Sequence, residues 1–223
     1  MLVFMTIIAG FTEDKTFRPK KFFLKGSKRD QLHTLMVKTL GAGGNLREAV
    51  RVPAGEKDNE WLAVNTLDFY NQLNLMYGSI RELCTEATCP TMSAGPAYEY
   101  YWADEVQKKP VKLTAPQYID NLMTWVQAQL DNESIFPMEG DDFPSTFKET
   151  VKTIFKRLFR IYAHIYYNHY KMLETLQEEK HLNSCYKHFI FFVEEHDLVE
   201  KKEMAPLATL SQKLSGGQPV QAP

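Results

Sequence analysis

Two cysteines and two histidines are the residues of this 223-residue chain whose types and spacing could do chemistry. Cys84 and Cys89 are spaced C-x4-C, and His164 and His169 are spaced H-x4-H. Both spacings fall at or near the limits of a structural zinc site with two Cys and two His. The span between the pairs is long, so the set is no local finger. A metal held there would pin the end of one core helix to a second, longer helix. The Cys89-Pro90 step suggests a sharp loop that turns both sulfurs inward. Against this, the two histidines are about 140° apart round a straight helix, so the helix must bulge or the ligands must reach from either side. Two buried thiols and two amphipathic histidines are the alternative, and spacing alone leaves both open. Cys185 and His181 are spare candidates, although Cys185 also suits a small core position. A catalytic zinc would keep an open position and need a nearby base. Glu178 and Glu179 lie near in sequence, but no HExxH or deaminase-type signature accompanies them. Four strong ligands point instead to a closed, structural site.

Two charged constellations could recognise partners. Lys148, Lys152, Lys156, Arg157 and Arg160 crowd one helical segment. Lys156, Arg157 and Arg160 fall within little more than a turn and can converge on one anion, with arginine able to grip phosphate through two N–H groups. A merely solvated basic face is the rival reading. Glu56, Asp58, Glu60 and Asp68 surround Trp61. An exposed Trp ringed by carboxylates would suit a basic amphipathic helix. Equally, Trp61 is core and the acids favour a helix N-terminus. The chain carries no G-x-S-x-G, P-loop or G-x-G-x-x-G motif.

These residues need helices to position them. One helix is expected after Ser27, with Leu32, Leu35, Met36 and Thr39 on one side, ending at Gly41; a short turn covers Leu46 to Val50. Pro53 to Glu60 reads as an acidic linker. Asn65 then caps a longer helix whose stripe runs Phe69, Leu73, Met76, Tyr77 and Ile80 and reaches Cys84. Residues 84 to 113 hold three prolines, with YEYYW and PVKL as two short strands or an ordered loop. Thr114 to Gln117 reads as a capping box before the stripe Ile119, Leu122, Met123, Val126 and Leu130. The strongest helix is expected from about Ser145 to Leu176. Asn183 caps another, with Tyr186, Phe189, Ile190 and Val193 inside, and short helical pieces run on to Leu214. The expectation is an all-α domain around a four-helix core, with a short β-hairpin or loop excursion. Residues 1–15 read as a variable apolar leader, 16–214 as one helical domain, and 215–223 as a disordered tail.

Composition narrows the function classes. The chain is 44% hydrophobic and 24% charged, values of a globular protein. Three cysteines cannot all pair, which fits a reducing compartment. The 26 basic residues nearly balance 28 acidic ones, a net charge of −2 that argues against bulk binding to nucleic acid. The apolar opening MLVFMTIIAGF is too short to span a bilayer.

Taken together, several stretches resemble the Mob (Mps-one-binder) family of kinase coactivators. They are KTFRPKK, TLGAGGNLREAV, NEWLAVNTLDFYNQLNLMYGSI, CTEATCPTMSAGPAYEY, APQYIDNLMTWVQAQLDNE, FKRLFRIYAHIY and CYKHFIFFVEE. The similarity runs from about Lys15 to Leu214, and WVQAQLDNE and the TLGAGGNLREAV region look more like the Mob-one branch. The resemblance implies a helical fold on a four-helix core, no enzymatic activity, and a structural zinc on Cys84, Cys89, His164 and His169. It implies binding to the N-terminal regulatory region of NDR/LATS-type AGC kinases in Hippo or mitotic-exit signalling. Glu56, Glu60, Trp61 and Asp68 fall on the family's kinase-binding surface. Lys156, Arg157 and Arg160 fall on its pocket for phosphothreonine peptides of Ste20-like kinases or scaffolds. Thr16 and Thr39 match sites that those kinases phosphorylate. A cytoplasmic protein, also nuclear, is expected, with no stable membrane insertion. A zinc-dependent hydrolase and a nucleic-acid-binding module are the rival functions.

Overall fold

The computed structural model describes residues 23, 25–41, 45–138 and 142–216. The leader, the tail beyond Gly216 and Thr16 lie outside them. Among the described residues eight α-helices follow in order: α1 Lys28–Gly41, α2 Leu46–Ala49, α3 Asp58–Gly78, α4 Ala115–Asp131, α5 Phe147–Asn168, α6 Tyr170–Thr175, α7 Glu179–His196 and α8 Ala208–Ser215. A 3-10 turn, Ala205–Leu207, leads into α8. Among the described residues no helix is long and apolar enough to cross a membrane.

The core is built on α3, α4, α5 and α7. The expected stripes on α3 and α4 are buried along their whole length. On α1, Leu32 and Met36 are buried but Leu35 is 44% exposed, so its apolar face is narrower than the sequence suggests. Phe69 on α3 is the hub: its ring lies 5.4 Å from Phe155 of α5 and 5.6 Å and 5.2 Å from Phe189 and Phe192 of α7. Large rings rather than close backbones join α5 to α7, as Tyr162 and Phe189 illustrate at 5.1 Å. Such pairs add to the burial of their large apolar surface.

Three element boundaries differ from the sequence expectation. The third helix begins at Asp58, seven residues before Asn65. Asn65 does not cap it; its amide donates back to Trp61 O at 2.9 Å inside the helix. Burial of Trp61 extends the helix, and Asp58 and Glu60 fall in its first turn, where carboxylates are favoured. Asn183 likewise sits inside α7, where its side-chain oxygen accepts from the Tyr166 hydroxyl at 2.8 Å. The long helix expected from Ser145 to Leu176 is two helices. His169 leaves helical geometry at φ −129°, ψ 0°, and α6 then ends at Thr175, two residues before Gln177 with φ 59°.

Residues 85–114 form an ordered loop. Isolated bridges join Ser93 to Glu99 and Trp102 to Val111, and among the described residues no hairpin ladder develops. Pro90, Pro96 and Pro110 each remove a donor and interrupt pairing. Gly95 adopts φ +70°, and a Cβ there would lie 2.7 Å from Tyr167 Cε1. Only glycine meets both conditions. Before α4, Thr114 occupies the cap position without a side-chain cap bond, and Gln117 donates to Glu86 at 2.6 Å instead. The capping box therefore does not form, while Pro116 keeps its first-turn place.

Candidate metal centre and charged surfaces

The stripe of α3 ends in a turn in which Cys84 N donates to Ile80 O at 3.0 Å. A threonine knot then shapes the loop between the cysteines. Thr88 Oγ1 donates to Leu83 O at 2.7 Å and accepts from Thr85 N at 2.9 Å. Cys89 O accepts from Ala115 N at 3.0 Å, which ties the loop to the start of α4. The histidines arrive from α5 and from the break after it. That break answers the angular objection, because a residue out of helical geometry need not project 140° away from His164.

All four side chains are buried, and their donor atoms lie within 4.8 Å of one another. Cys84 Sγ stands 3.5 Å from His164 Nε2, and Cys89 Sγ stands 3.4 Å from His169 Nε2. A tetrahedral metal with ordinary Zn–S and Zn–N bonds would set such an edge at about 3.6 Å. His164 Nδ1 donates to Ser93 O at 2.8 Å, which leaves the Nε2 lone pair facing the sulfurs. Asn168 Nδ2 donates to the same carbonyl at 3.2 Å. Burial pushes His164 down to about 4 and lowers His169, so both rings are neutral near pH 7, as ligation requires. Burial also pushes the Cys84 thiol up to about 12. Metal binding would therefore displace the proton from a Cys84 thiol that the protein interior keeps protonated. Cys185 and His181 form a separate pair on α7, 3.6 Å apart, and do not join the four. Glu178 and Glu179 stay outside the cluster, which contains no carboxylate. The donor set fits a closed metal site with four protein ligands.

Lys156, Arg157 and Arg160 project from adjoining positions of α5, but their surroundings differ. Arg157 lies over the rings of Trp125 and Trp102, at 4.0 and 4.8 Å, and its Nη2 donates to Ala103 O at 2.9 Å. Arg160 Nη1 donates to the Tyr118 hydroxyl at 2.7 Å, and its guanidinium lies 5.2 Å from the Tyr100 ring. Among the described residues, Arg157 Nη1 and Arg160 Nε are buried without a hydrogen-bond partner. Unspent charged donors of this kind suit an anion. The aromatic frame (Tyr100, Trp102, Tyr118, Trp125) was not singled out from sequence as part of this site. Its signal, the clustering of aromatics in residues 98–102, was visible but pointed to no partner.

The acidic residues are arranged on the α1 side of α3. Lys28 pairs with Glu56 at 2.8 Å, Arg29 with Glu60, and His33 with Asp68 at 3.7 Å. Glu60 is only 7% exposed. Trp61, 1% exposed, is a core residue whose indole donates to Val50 O at 3.0 Å. The reading with an exposed Trp ringed by acids is thereby corrected: any role of Trp61 in docking is indirect. A cleft of about 620 Å³ opens at the start of α3, lined by Lys57, Asp58, Asn59, Glu60, Asp142 and Phe143. The cations of α1 were missed, because nothing local in sequence links them to acids more than 25 residues on. Thr39, in the last turn of α1, donates its hydroxyl to Leu35 O at 2.9 Å.

Comparison with known proteins adds a lineage to this geometry. The model of the Mob1/phocein family matches residues 37–207. The chain belongs to this family. It is 58% identical over 212 residues to "MOB kinase activator-like 1A" of Arabidopsis thaliana, covering 94% of this chain and 98% of that protein. It is also 58% identical over 205 residues to "MOB kinase activator-like 1 homolog B" of Dictyostelium discoideum, covering 91% and 94%. A Medicago sativa protein, "MOB kinase activator-like 1A", is 56% identical over 203 residues, 90% and 94% of the two chains. These matches place the chain in the Mob1 branch. The matched span of the Mob1/phocein model takes in the whole metal cluster and the α5 cations.

Proposed function

We propose that this Mob1-branch protein is a non-catalytic coactivator of NDR/LATS-type AGC kinases, working in the cytoplasm and nucleus within Hippo or mitotic-exit signalling. The observation that carries this is similarity at 58% identity, along 94% of the chain, to a protein named as a kinase activator. The closed Cys84–Cys89–His164–His169 cluster supports it by leaving no open ligand position for turnover. The metal is zinc, and its part is to hold the end of α3 and the loop before α4 against α5.

The kinase's basic N-terminal regulatory segment docks along Glu56, Glu60 and Asp68. It does so by displacing or sharing Lys28, Arg29 and His33, which neutralise those acids in the free protein. Lys156, Arg157 and Arg160 take the phosphothreonine of a Ste20-like kinase or a scaffold, and the two unpartnered guanidinium N–H groups are the donors left for it. Phosphorylation of Thr16 and Thr39 frees the docking face. On Thr39 a phosphate would replace the hydroxyl's bond to Leu35 O at the C-terminal end of α1, where negative charge is unfavourable.

Calorimetric titration with an NDR/LATS-type regulatory segment tests the reading. Binding by the wild type that is lost in Glu56→Lys is the expected result. Glu56 lies outside α3 and is partly exposed, so its reversal spares the core, whereas reversal of buried Glu60 would not. A flat titration for the wild type, with and without phosphorylated Thr16 and Thr39, overturns it.

A further inference from the structure

Arg160 already has an anion of its own chain beside it. Glu203 lies in the turns between α7 and the 3-10 turn, and its Oε2 stands 4.0 Å from Arg160 Nη2. That is an ion pair without a hydrogen bond. Both side chains are accessible, at 21% for Arg160 and 31% for Glu203, so the pair is open to exchange with solutes. Glu203 also bears electrostatically on Tyr100, whose ring packs under the Arg160 guanidinium. Glu200, in the same turn, feels the charges of Lys156 and Lys152, although its direct partner is Lys202 at 2.7 Å. Two carboxylates of one turn, Glu200-Lys201-Lys202-Glu203, thus face two of the three cations proposed to bind phosphothreonine, with Lys202 as a rival partner for both, and the third, Arg157, lies over two indole rings.

We infer that Glu203 is a built-in competitor for the phosphate site, an internal carboxylate that occupies Arg160 until a phosphorylated residue displaces it. This rests on the phosphothreonine reading of Lys156, Arg157 and Arg160 and adds its regulation. A phosphate near neutral pH carries close to two negative charges and three acceptor oxygens, against one charge on a carboxylate. It has more acceptor oxygens to offer Arg157 Nη1 and Arg160 Nε, which Glu203, 4.0 Å from Arg160 Nη2, leaves without a partner. Displacing Glu203 costs every anion the same factor in affinity, so weakly held ligands such as acidic peptides fall below useful binding first. The competitor acts as a threshold on ligand affinity.

The test is calorimetric titration of the full chain with a short phosphothreonine peptide, its glutamate-substituted twin and inorganic phosphate. The proteins are the wild type, Glu203→Gln, Arg160→Ala and, as a charge control on α2, Glu48→Gln. Melting temperatures check that each variant is folded. Glu203→Gln is expected to bind the phosphopeptide and its glutamate-substituted twin each roughly three- to tenfold more tightly than the wild type, while Glu48→Gln changes neither. A wild type that binds weakly or not at all while Glu203→Gln binds supports the inference as well. If the wild type binds, Arg160→Ala does not, and Glu203→Gln matches or falls below the wild type, the competitor is overturned and the pocket stands. If neither the wild type nor Glu203→Gln binds phosphopeptide or phosphate, the pocket falls and the competitor with it.

Discussion

The acids beside α1 (Glu56 just before α3, Glu60 and Asp68 on it) and the cations of α5 are both clusters of like charge, yet they meet their counter-charges differently. Glu56, Glu60 and Asp68 each face a cation from α1, and Glu60 with Arg29 is close to fully buried. Arg157 and Arg160 instead lie on aromatic rings and keep one buried N–H each without a partner. The carboxylates of the first surface are saturated from within, although among the described residues Arg29 Nη2 is also buried without an acceptor, so a cationic ligand must exchange with part of the fold. The second is left short of an acceptor, so a ligand completes it. A saturated surface responds to whatever moves α1; an incomplete one responds to the charge of what arrives.

The largest expected effect links the two surfaces. The metal cluster joins the end of α3 to the end of α5, so chelation should loosen both together. It is expected to lower the melting temperature by about 10 °C or more, from a loss of several kcal/mol in a chain of this size. Biphasic melting, with one surface untouched, would break the link. Next come paired deletions. Arg29→Ala leaves Glu60 buried and uncompensated and should cost about 3 kcal/mol in urea denaturation. Arg157→Ala removes two ring contacts and a bond to Ala103 O from a half-buried site and should cost about 1–2 kcal/mol. Equal costs would erase the distinction between a saturated surface and an incomplete one. The smallest effect is one of pH. A hydrogen bond to Asp68 raises His33 above its usual 6.5. Its stabilisation is full below pH 6.5 and is lost as pH rises through the raised value. Asp68→Asn should flatten that decline in a pH series of denaturation midpoints, and an unchanged series would remove His33 from the pairing.

Much of this was legible in the sequence. Types and spacing singled out Cys84, Cys89, His164 and His169 but left buried thiols and histidines as an equal reading until the family resemblance favoured a metal, and the structure brings the four together. The buried stripes of α3 and α4 followed from their period. What escaped had non-local causes. Asn65 and Asn183 look like caps, but tertiary burial of Trp61 and Leu182 carries each helix past them. The break at His169 has no proline or glycine to announce it in YYNHY. Ser93 contributes through its carbonyl, and backbone positions are not written in residue types. Glu203 and Arg160, far apart in sequence, come together only in the fold, through the turns after α7.

Arg157 sits between Trp102 and Trp125, whereas the third tryptophan, Trp61, is sealed in the core against Val50 O. Indole emission is sensitive to a cation at the ring face. The chain therefore carries its own optical reporter: an anion that draws the guanidinium out from between two indoles alters their fluorescence, while Trp61 supplies a steady background from the same molecule. Occupancy of that surface can be read without a dye, a tag or a labelled ligand.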